Sequence, residues 1–182
     1  MPPILRFLAP AVARTSPKEA LRAGLGGLIG LGLTGAFVLS PVVDLELGHY
    51  LVAPFGASAV LLFAVPNSPL AQPWSAIVGN TAAALVGVAV SLVVDDPVHR
   101  IALAVGLAIA VTILIRAVHP PAGAVAMTAA MSPDAIHKLG FWFALMPVAT
   151  GTAVLVVIAA LYARATGRQY PFRHFPEPTR CR

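Results

Sequence analysis

The residues of this chain best suited to bind a ligand lie in two short phrases rich in proline and glycine. They read Pro54-Phe55-Gly56-Ala57-Ser58-Ala59 and His119-Pro120-Pro121-Ala122-Gly123-Ala124-Val125-Ala126. Proline suits the first turn of a helix, because its φ is fixed and it has no N–H to leave unpaired, and glycine lets a ligand approach the backbone. The N–H groups of such a turn carry a partial positive charge. Each phrase therefore predicts a helix start that binds an anion.

Polar side chains in and near these phrases could complete the binding site. Ser58 and Thr128 follow the two helix starts, Asn80 lies in a long apolar run, and His119 precedes the second start. Each has a structural alternative: a hydroxyl can bond back to its own helix, an amide can hold two helices together, and His119 can cap a turn. His119 could instead carry a proton, since imidazole titrates near a pH of about 6.5. We read Arg116 as an anchor at the membrane interface.

The composition predicts one membrane domain. The chain is 58% hydrophobic and 10% charged, with a mean hydropathy of +0.86, whereas a soluble domain carries about 25% charged residues. Basic residues precede the first apolar run and follow the last, so both termini are expected in the cytoplasm and the number of crossings is even. The absence of a clear cleavable signal suits a bacterial inner membrane. A nucleic-acid partner is not expected, because few aromatic residues lie among these basic ones.

Apolar runs alternate between long and short in two halves. Four long runs are expected to cross the bilayer: Leu21–Leu39, Trp74–Val94, Ile101–Ile115 and Leu139–Tyr162. Two shorter runs, Leu51–Val65 and Ala122–Met131, carry the phrases. Because ten helical residues extend only about 15 Å, half the hydrocarbon thickness, we expect half-membrane or re-entrant helices. The alternative is six crossings in two inverted halves.

The two halves align at an offset of 67 residues, pairing Pro54 with Pro121 and Pro66 with Pro133. With one residue of slippage, Trp74 pairs with Trp142. We therefore predict an internal repeat of residues 21–94 and 98–162 within a transmembrane domain of residues 21–162. A basic cytoplasmic arm, 1–20, and a basic cytoplasmic tail, 163–182, flank this all-α polytopic domain. Gly26 and Gly30 have the spacing of a close helix contact, and a homo-oligomer is expected from the small size of the chain.

The second phrase, together with Pro54–Ala59 and the pair Gly79-Asn80, resembles the signature of the HPP family of integral membrane proteins, named for His119-Pro120-Pro121. The resemblance covers roughly Leu21 to Tyr162. It implies a polytopic membrane protein, usually described with four transmembrane helices. Some plant and cyanobacterial relatives are linked to nitrite transport, and most members have no settled substrate.

The function we expect is therefore a transporter or channel for a small anion, with nitrite as the leading candidate. The alternatives are a scaffold or accessory subunit and a membrane enzyme. Asp44, Glu46 and His49 could form a small cluster, but we read them as a solvated loop. The sequence contains no motif of a hydrolase, metalloprotease or phosphate loop. Its single cysteine, Cys181, can form no internal disulfide. We expect no enzyme activity, no cofactor and no metal site.

Overall fold

The computed structural model describes residues 14–38, 45–131, 136 and 138–172. All regular structure in these residues is helical. We number the six main helices in chain order as α1 Pro17–Val38, α2 Leu45–Ala64, α3 Gly79–Ser91, α4 Pro97–Leu114, α5 Pro121–Met131 and α6 Thr150–Ala165. Short π-helical segments, Trp74–Val78 and Ala144–Ala149, lead into α3 and α6, and a 3-10 turn spans Pro69–Ala71.

The four predicted long spans are confirmed. By length and hydropathy, four helical stretches can cross a membrane: Pro17–Val38, Trp74–Ser91, Pro97–Leu114 and Ala144–Ala165. Two shorter apolar helices, His49–Ala64 and Pro121–Met131, accompany them. Pro133 of the predicted repeat lies outside the described residues, as do Asp44 and Cys181. The first helix begins at Pro17, so part of the predicted arm of residues 1–20 is helical.

The first proline–glycine phrase does not start a helix, and that prediction is wrong. Pro54 lies inside α2, nine residues after its beginning at Leu45. A membrane helix tolerates an internal proline because neighbouring groups satisfy the freed carbonyl. The second prediction is correct, since α5 begins at Pro121. From its proline to its end, each short helix has the same length, Pro54–Ala64 and Pro121–Met131.

Consecutive helices alternate in direction. The hydroxyl of Tyr162 donates to the carbonyl of Arg22 at 2.8 Å, so α6 ends where α1 begins. The Arg22 guanidinium donates to the carbonyl of Phe63 at 3.2 Å, which places the end of α2 there as well. Trp74, just before α3, donates its indole N–H to the carbonyl of Ile115 after α4 at 3.3 Å. We call this the terminal end of the bundle. The order of the helices along the chain, long, short, long, long, short and long, is the predicted one.

Glycines set the closest helix contacts. Gly26 and Gly30 of α1 lie against the ring of Phe63 on α2, as their spacing predicts. Gly87 of α3 lies on α5, where a Cβ would come within 2.7 Å of the Ala126 carbonyl oxygen. Gly151 of α6 receives the ring of Phe55, whose tip would lie 2.7 Å from a Cβ. Small residues thus let these helices pack backbone to backbone or backbone to ring.

Three helix ends show why the chain turns where it does. Asp96 caps α4 by accepting from the backbone N–H of His99 at 2.9 Å. This bond and the contact with the His99 ring hold the pKa of the Asp96 carboxyl below its ordinary value. At the other end, Arg116 has a positive φ of 57°, and the N–H of Ala117 bonds to the carbonyl of Thr112 at 2.8 Å. Gly167 ends α6 in the same way, with a φ of 70°.

The segment after α6 folds back on the bundle instead of forming a free tail. The side chain of Tyr170 is 8% exposed, and its hydroxyl donates to the carbonyl of Ala71 at 2.9 Å. Burial raises the pKa of this phenol. The backbone N–H of Phe172 donates to the side-chain oxygen of Gln72 at 2.9 Å. The predicted tail of residues 163–182 therefore begins with an ordered contact, and residues 173–182 lie outside the described part.

Candidate functional site

His119 lies in the irregular segment between α4 and α5, where two local signals stop both helices. The left-handed conformation of Arg116 ends α4, and two consecutive prolines follow His119. A residue before proline is disfavoured in the helical region, so His119 stays outside the helix while Pro121 begins α5. The side chain of His119 is only 2% exposed, so the segment is packed into the bundle.

Both ring nitrogens of His119 have partners. Nδ1 lies 2.7 Å from the carbonyl oxygen of Leu70, in the turn before α3. Because a carbonyl can only accept, Nδ1 carries a proton and donates. Nε2 lies 2.9 Å from the hydroxyl of Ser58 on α2. In the neutral ring Nε2 accepts, so the Ser58 hydroxyl donates to it.

The hydrogen bonds continue through Asn80 to α6. The amide nitrogen of Asn80 lies 3.1 Å from the hydroxyl oxygen of Thr152 and, at a longer 3.5 Å, from that of Ser58. Thr152 in turn donates to the carbonyl of Val148 at 2.8 Å. Ser58, Asn80 and Thr152 are fully buried. We call Ser58, Asn80, His119 and Thr152 the polar network; it joins α2, α3 and α6 to the segment before α5.

One atom of this network is unsatisfied. The side-chain oxygen of Asn80 is buried without a hydrogen-bond partner in the described structure. Burying an unpaired polar atom is costly, and such atoms are rare in native proteins. The network can therefore take up one further donor, either from a ligand or by rearranging its own protons.

Gly79 lets the His119 segment come close to α3. A Cβ on Gly79 would collide with the carbonyl oxygen of Ala117 and would lie 3.1 Å from the Cβ of His119. A side chain at this position would push the segment away from the bundle. Gly79 and Asn80 thus act together, since one admits the His119 segment and the other supplies the amide beside Ser58.

A cavity of about 330 Å³ lies between α4 and the start of α5, with His119 in its wall. Its other walls are mostly apolar and come from Val105, Ala108, Ile109, Thr112, Ile113, Val118, Pro120, Ala122 and Gly123. A Cβ on Gly123 would meet no atom within 4 Å, so the first turn of α5 is open at this point. The cavity has room for a small ligand beside the imidazole.

The first backbone N–H groups of α5 are already hydrogen-bonded, whereas the sequence predicts free donors there. The N–H of Ala122 bonds to the carbonyl of His119 at 2.8 Å, and that of Gly123 to the carbonyl of Pro120 at 3.2 Å. What the start of α5 offers a ligand in this conformation is the positive end of the helix dipole rather than unpaired amides.

The first phrase contributes one residue to the polar network, Ser58. Phe55 is buried against Gly151 and fills space between α2 and α6. Gly56 lines a separate groove of about 310 Å³ between α1 and α2. Pro54 is buried and Ala57 is exposed.

The structure therefore brings together Ser58, Asn80 and His119 among the predicted site residues. From the second phrase, Ala122 and Gly123 line the cavity beside His119, and Pro120 lies at its edge. Pro121 is buried at the start of α5, and Ala124 is partly buried. Thr128 is buried two turns further along α5, outside the hydrogen bonds of the network.

Sequence reasoning missed two participants, Thr152 and the carbonyl of Leu70. A signal for Thr152 was present. Gly151-Thr152, like Gly79-Asn80, is a glycine followed by a polar residue within a long apolar run, and both pairs lie in the first turn of a helix. No side-chain signal exists for Leu70, because it acts through its backbone. Within the described residues, no three His, Cys, Asp or Glu side chains are grouped so as to hold a metal ion.

Comparison with known proteins identifies similar membrane proteins. The family model for the HPP transmembrane region matches residues 12–171. A transmembrane protein of Dictyostelium discoideum is 38% identical over 127 residues, which cover 67% of this chain and 40% of that protein. A second transmembrane protein of that organism is 33% identical over 156 residues, covering 78% of this chain and 54% of the relative.

The chain thus spans about half the length of these relatives. No solved structure matches it. The family match includes all six helices, the polar network and the cavity beside His119. The chain is an integral membrane protein and belongs to the HPP family, of which it contains the transmembrane region.

Proposed function

We propose that this protein is a transporter or channel for a small anion, with nitrite as the leading candidate. The observation that carries the proposal is the cavity of about 330 Å³ where the imidazole of His119 and the first turn of α5 lie side by side. The helix dipole favours a negative charge at that turn. Nitrite is preferred only because of the resemblance to relatives linked to its transport. In this proposal the protein catalyses no covalent step.

The position of the polar network supports a pathway through the bundle. Polar side chains inside a membrane domain are costly and commonly mark a substrate route. Here they extend inward from the cavity wall, from His119 through Ser58 to Asn80 and Thr152. The same bonds also hold α2, α3 and α6 together.

The test is uptake of small anions into proteoliposomes, with nitrite, nitrate, formate and chloride compared. We expect protein-dependent nitrite uptake, and we expect Gly123→Leu to lower it at least tenfold, because the new side chain enters the cavity. Gly123 has open space around it, so the substitution should leave folding intact. No protein-dependent flux of any of the four anions would refute the proposal.

Gly106→Leu is the matched control. Gly106 lies on α4, also has no atom within 4 Å of a Cβ, and does not line the cavity. We expect its uptake to equal that of the wild type. Equal uptake by the Gly123 and Gly106 variants would place the route elsewhere in the bundle.

We further propose that both termini are cytoplasmic, in a bacterial inner membrane. The described basic residues at the terminal end are Arg14, Lys18, Arg22, Arg116, Arg164 and Arg168, whereas Arg100 and Lys138 belong to the opposite end. Positive charge favours the cytoplasmic side. Labelling of cysteines introduced at Arg116 and at Val98 in intact cells distinguishes the two ends.

We also propose a homo-oligomer in the bilayer. Only 22% of the apolar window of α1 and 17% of that of α4 are buried within one chain. These helices therefore have wide faces that a second copy or lipid must cover. The mass of the purified protein in detergent tests this, and a monomer at all concentrations would contradict it.

A further inference from the structure

The surroundings of His119 can hold a second proton on the ring without losing a hydrogen bond. Leu70 presents a carbonyl, which accepts from Nδ1 in either charge state. Ser58 presents a hydroxyl, which can donate to a bare Nε2 or accept from a protonated one. Protonation thus requires only that the Ser58 hydroxyl turn its proton away from the ring.

The Ser58 hydroxyl, turned away from the ring, then needs a new acceptor. The Asn80 side chain presents its nitrogen, a donor, to Ser58 and Thr152, so its unpaired oxygen cannot accept this proton unless the bond to Thr152 is given up. Ser58 is fully buried and does not line the cavity, so an anion supplies the acceptor once it has moved inward past the imidazole. In the neutral state this donor is already used by His119, so protonation of the ring creates the donor that an anion needs.

Among the residues that the structure describes, the elements around the ring supply no fixed charge to balance a buried anion. The elements packed against His119 are residues 65–73, Trp74–Ser91 and Pro121–Met131, and none of them contains an acidic or basic side chain. On α2, Glu46 and His49 lie in the first turns, far along the helix from Ser58. On α4, His99 and Arg100 lie at the opposite end, and Arg116 is exposed beyond the end of that helix.

Helix α6, whose Thr152 bonds to Asn80, also has no charged side chain along its buried length. On α6 the nearest basic residue is Arg164, which is exposed in the last turn, far from Thr152. A lone anion in such surroundings would lose its hydration without gaining a counter-charge. Burial likewise opposes a lone imidazolium. The two charges stabilise each other only when they are present together.

We propose that His119 binds a proton together with the anion, so that the protein carries the two as a pair. The inference rests on the anion transport proposed above. In the step itself, a proton from the aqueous side of entry forms the Nε2–H bond, and Nε2–H donates to the Ser58 oxygen. The Ser58 hydroxyl donates to the anion. When the anion leaves on the other side, the Nε2–H bond breaks, its proton passes to water on that side, and the Ser58 hydroxyl again donates to Nε2.

The test is the pH dependence of nitrite binding by the purified full chain, measured by calorimetry. If one proton binds with each anion, the apparent Kd rises about tenfold per pH unit above the range in which His119 titrates. In buffers of different ionisation enthalpy, the wild type should take up about one proton per nitrite. A Kd that does not change with pH would overturn the inference while leaving anion binding in place.

Two variants separate His119 from other proton sources. His119→Gln keeps a polar side chain and should bind nitrite with a Kd independent of pH, whereas His99→Gln, at an exposed ring on α4, should behave like the wild type. A tenfold slope that persists in His119→Gln would assign the proton to nitrous acid and overturn the inference.

Ser58→Ala supplies a second route to the same answer if His119→Gln does not fold. It removes the acceptor that the protonated ring requires, so the proton uptake per nitrite should fall well below one. Unchanged proton uptake in that variant would overturn the inference. The absence of binding by the wild type for nitrite, nitrate, formate and chloride alike would instead overturn the proposed function, on which the inference depends.

Discussion

Gly87 holds α3 and α5 at a distance that no other residue permits. A Cβ at this position would lie 2.5 Å from the Cβ of Ala129 and 2.7 Å from the carbonyl oxygen of Ala126. Both neighbours belong to α5, and the second is backbone, so neither can rotate away. The Gly87→Ala substitution must therefore move α5 as a whole.

The size of this effect can be worked out from the distances. Non-bonded carbon atoms prefer about 3.5 to 4.0 Å, so α5 has to move by at least about 1 Å to admit the methyl group. Overpacking of this kind costs about 1 to 3 kcal/mol. We expect the ratio of folded to unfolded protein to decrease by a factor of about 5 to 150.

The assay is unfolding of the purified protein in mixed micelles with an increasing fraction of SDS. The matched control is Gly106→Ala, on α4, where a Cβ meets no atom within 4 Å and where alanine favours the helix by up to about 1 kcal/mol. Gly87→Ala should unfold at a lower SDS fraction than the wild type, and Gly106→Ala at the same or a higher one. If the two variants unfold together, α3 and α5 are not as close as described.

Two further predictions concern the end of α4 and the polar network. Arg116→Gly should raise the free energy of unfolding by up to about 1 kcal/mol in the same assay, because glycine adopts the positive φ of this residue without strain; a lower stability would indicate that the guanidinium makes a stabilising interaction. Thr152→Val should lower it by about 1 kcal/mol, since the amide of Asn80 loses its acceptor in the core. Thr152→Ser keeps the hydroxyl and should restore most of that loss, whereas equal losses in both variants would point to packing alone.

The number of helices and the four long spans could be predicted because they depend on local hydropathy. A run of about 20 apolar residues identifies a spanning helix from its own composition. The start of α5 was also predictable, because Pro120 and Pro121 act on the backbone immediately around them.

The start of α2 was not predictable, because the same local rule gives the wrong result at Pro54. A single proline stops a helix only when the residues before it cannot remain helical, and in a membrane neighbouring groups can support the interrupted backbone. The pairing of His119 with Ser58 and of Asn80 with Thr152 joins residues 61 and 72 positions apart. Such pairings follow from helix packing, which no short window of sequence contains. The predicted internal repeat stays a prediction.

The contact of Tyr170 with the 65–73 turn has a practical consequence for work on this protein. Tyr170 bonds to Ala71, and the neighbouring Leu70 carbonyl holds His119. Anything that pulls residues 168–172 away from the bundle therefore acts, through one peptide unit, on the orientation of the imidazole. A fluorescent protein fused directly behind Phe172 would apply such a pull. By the same connection, a partner bound to residues 168–172 would alter the orientation of the His119 ring without entering the membrane.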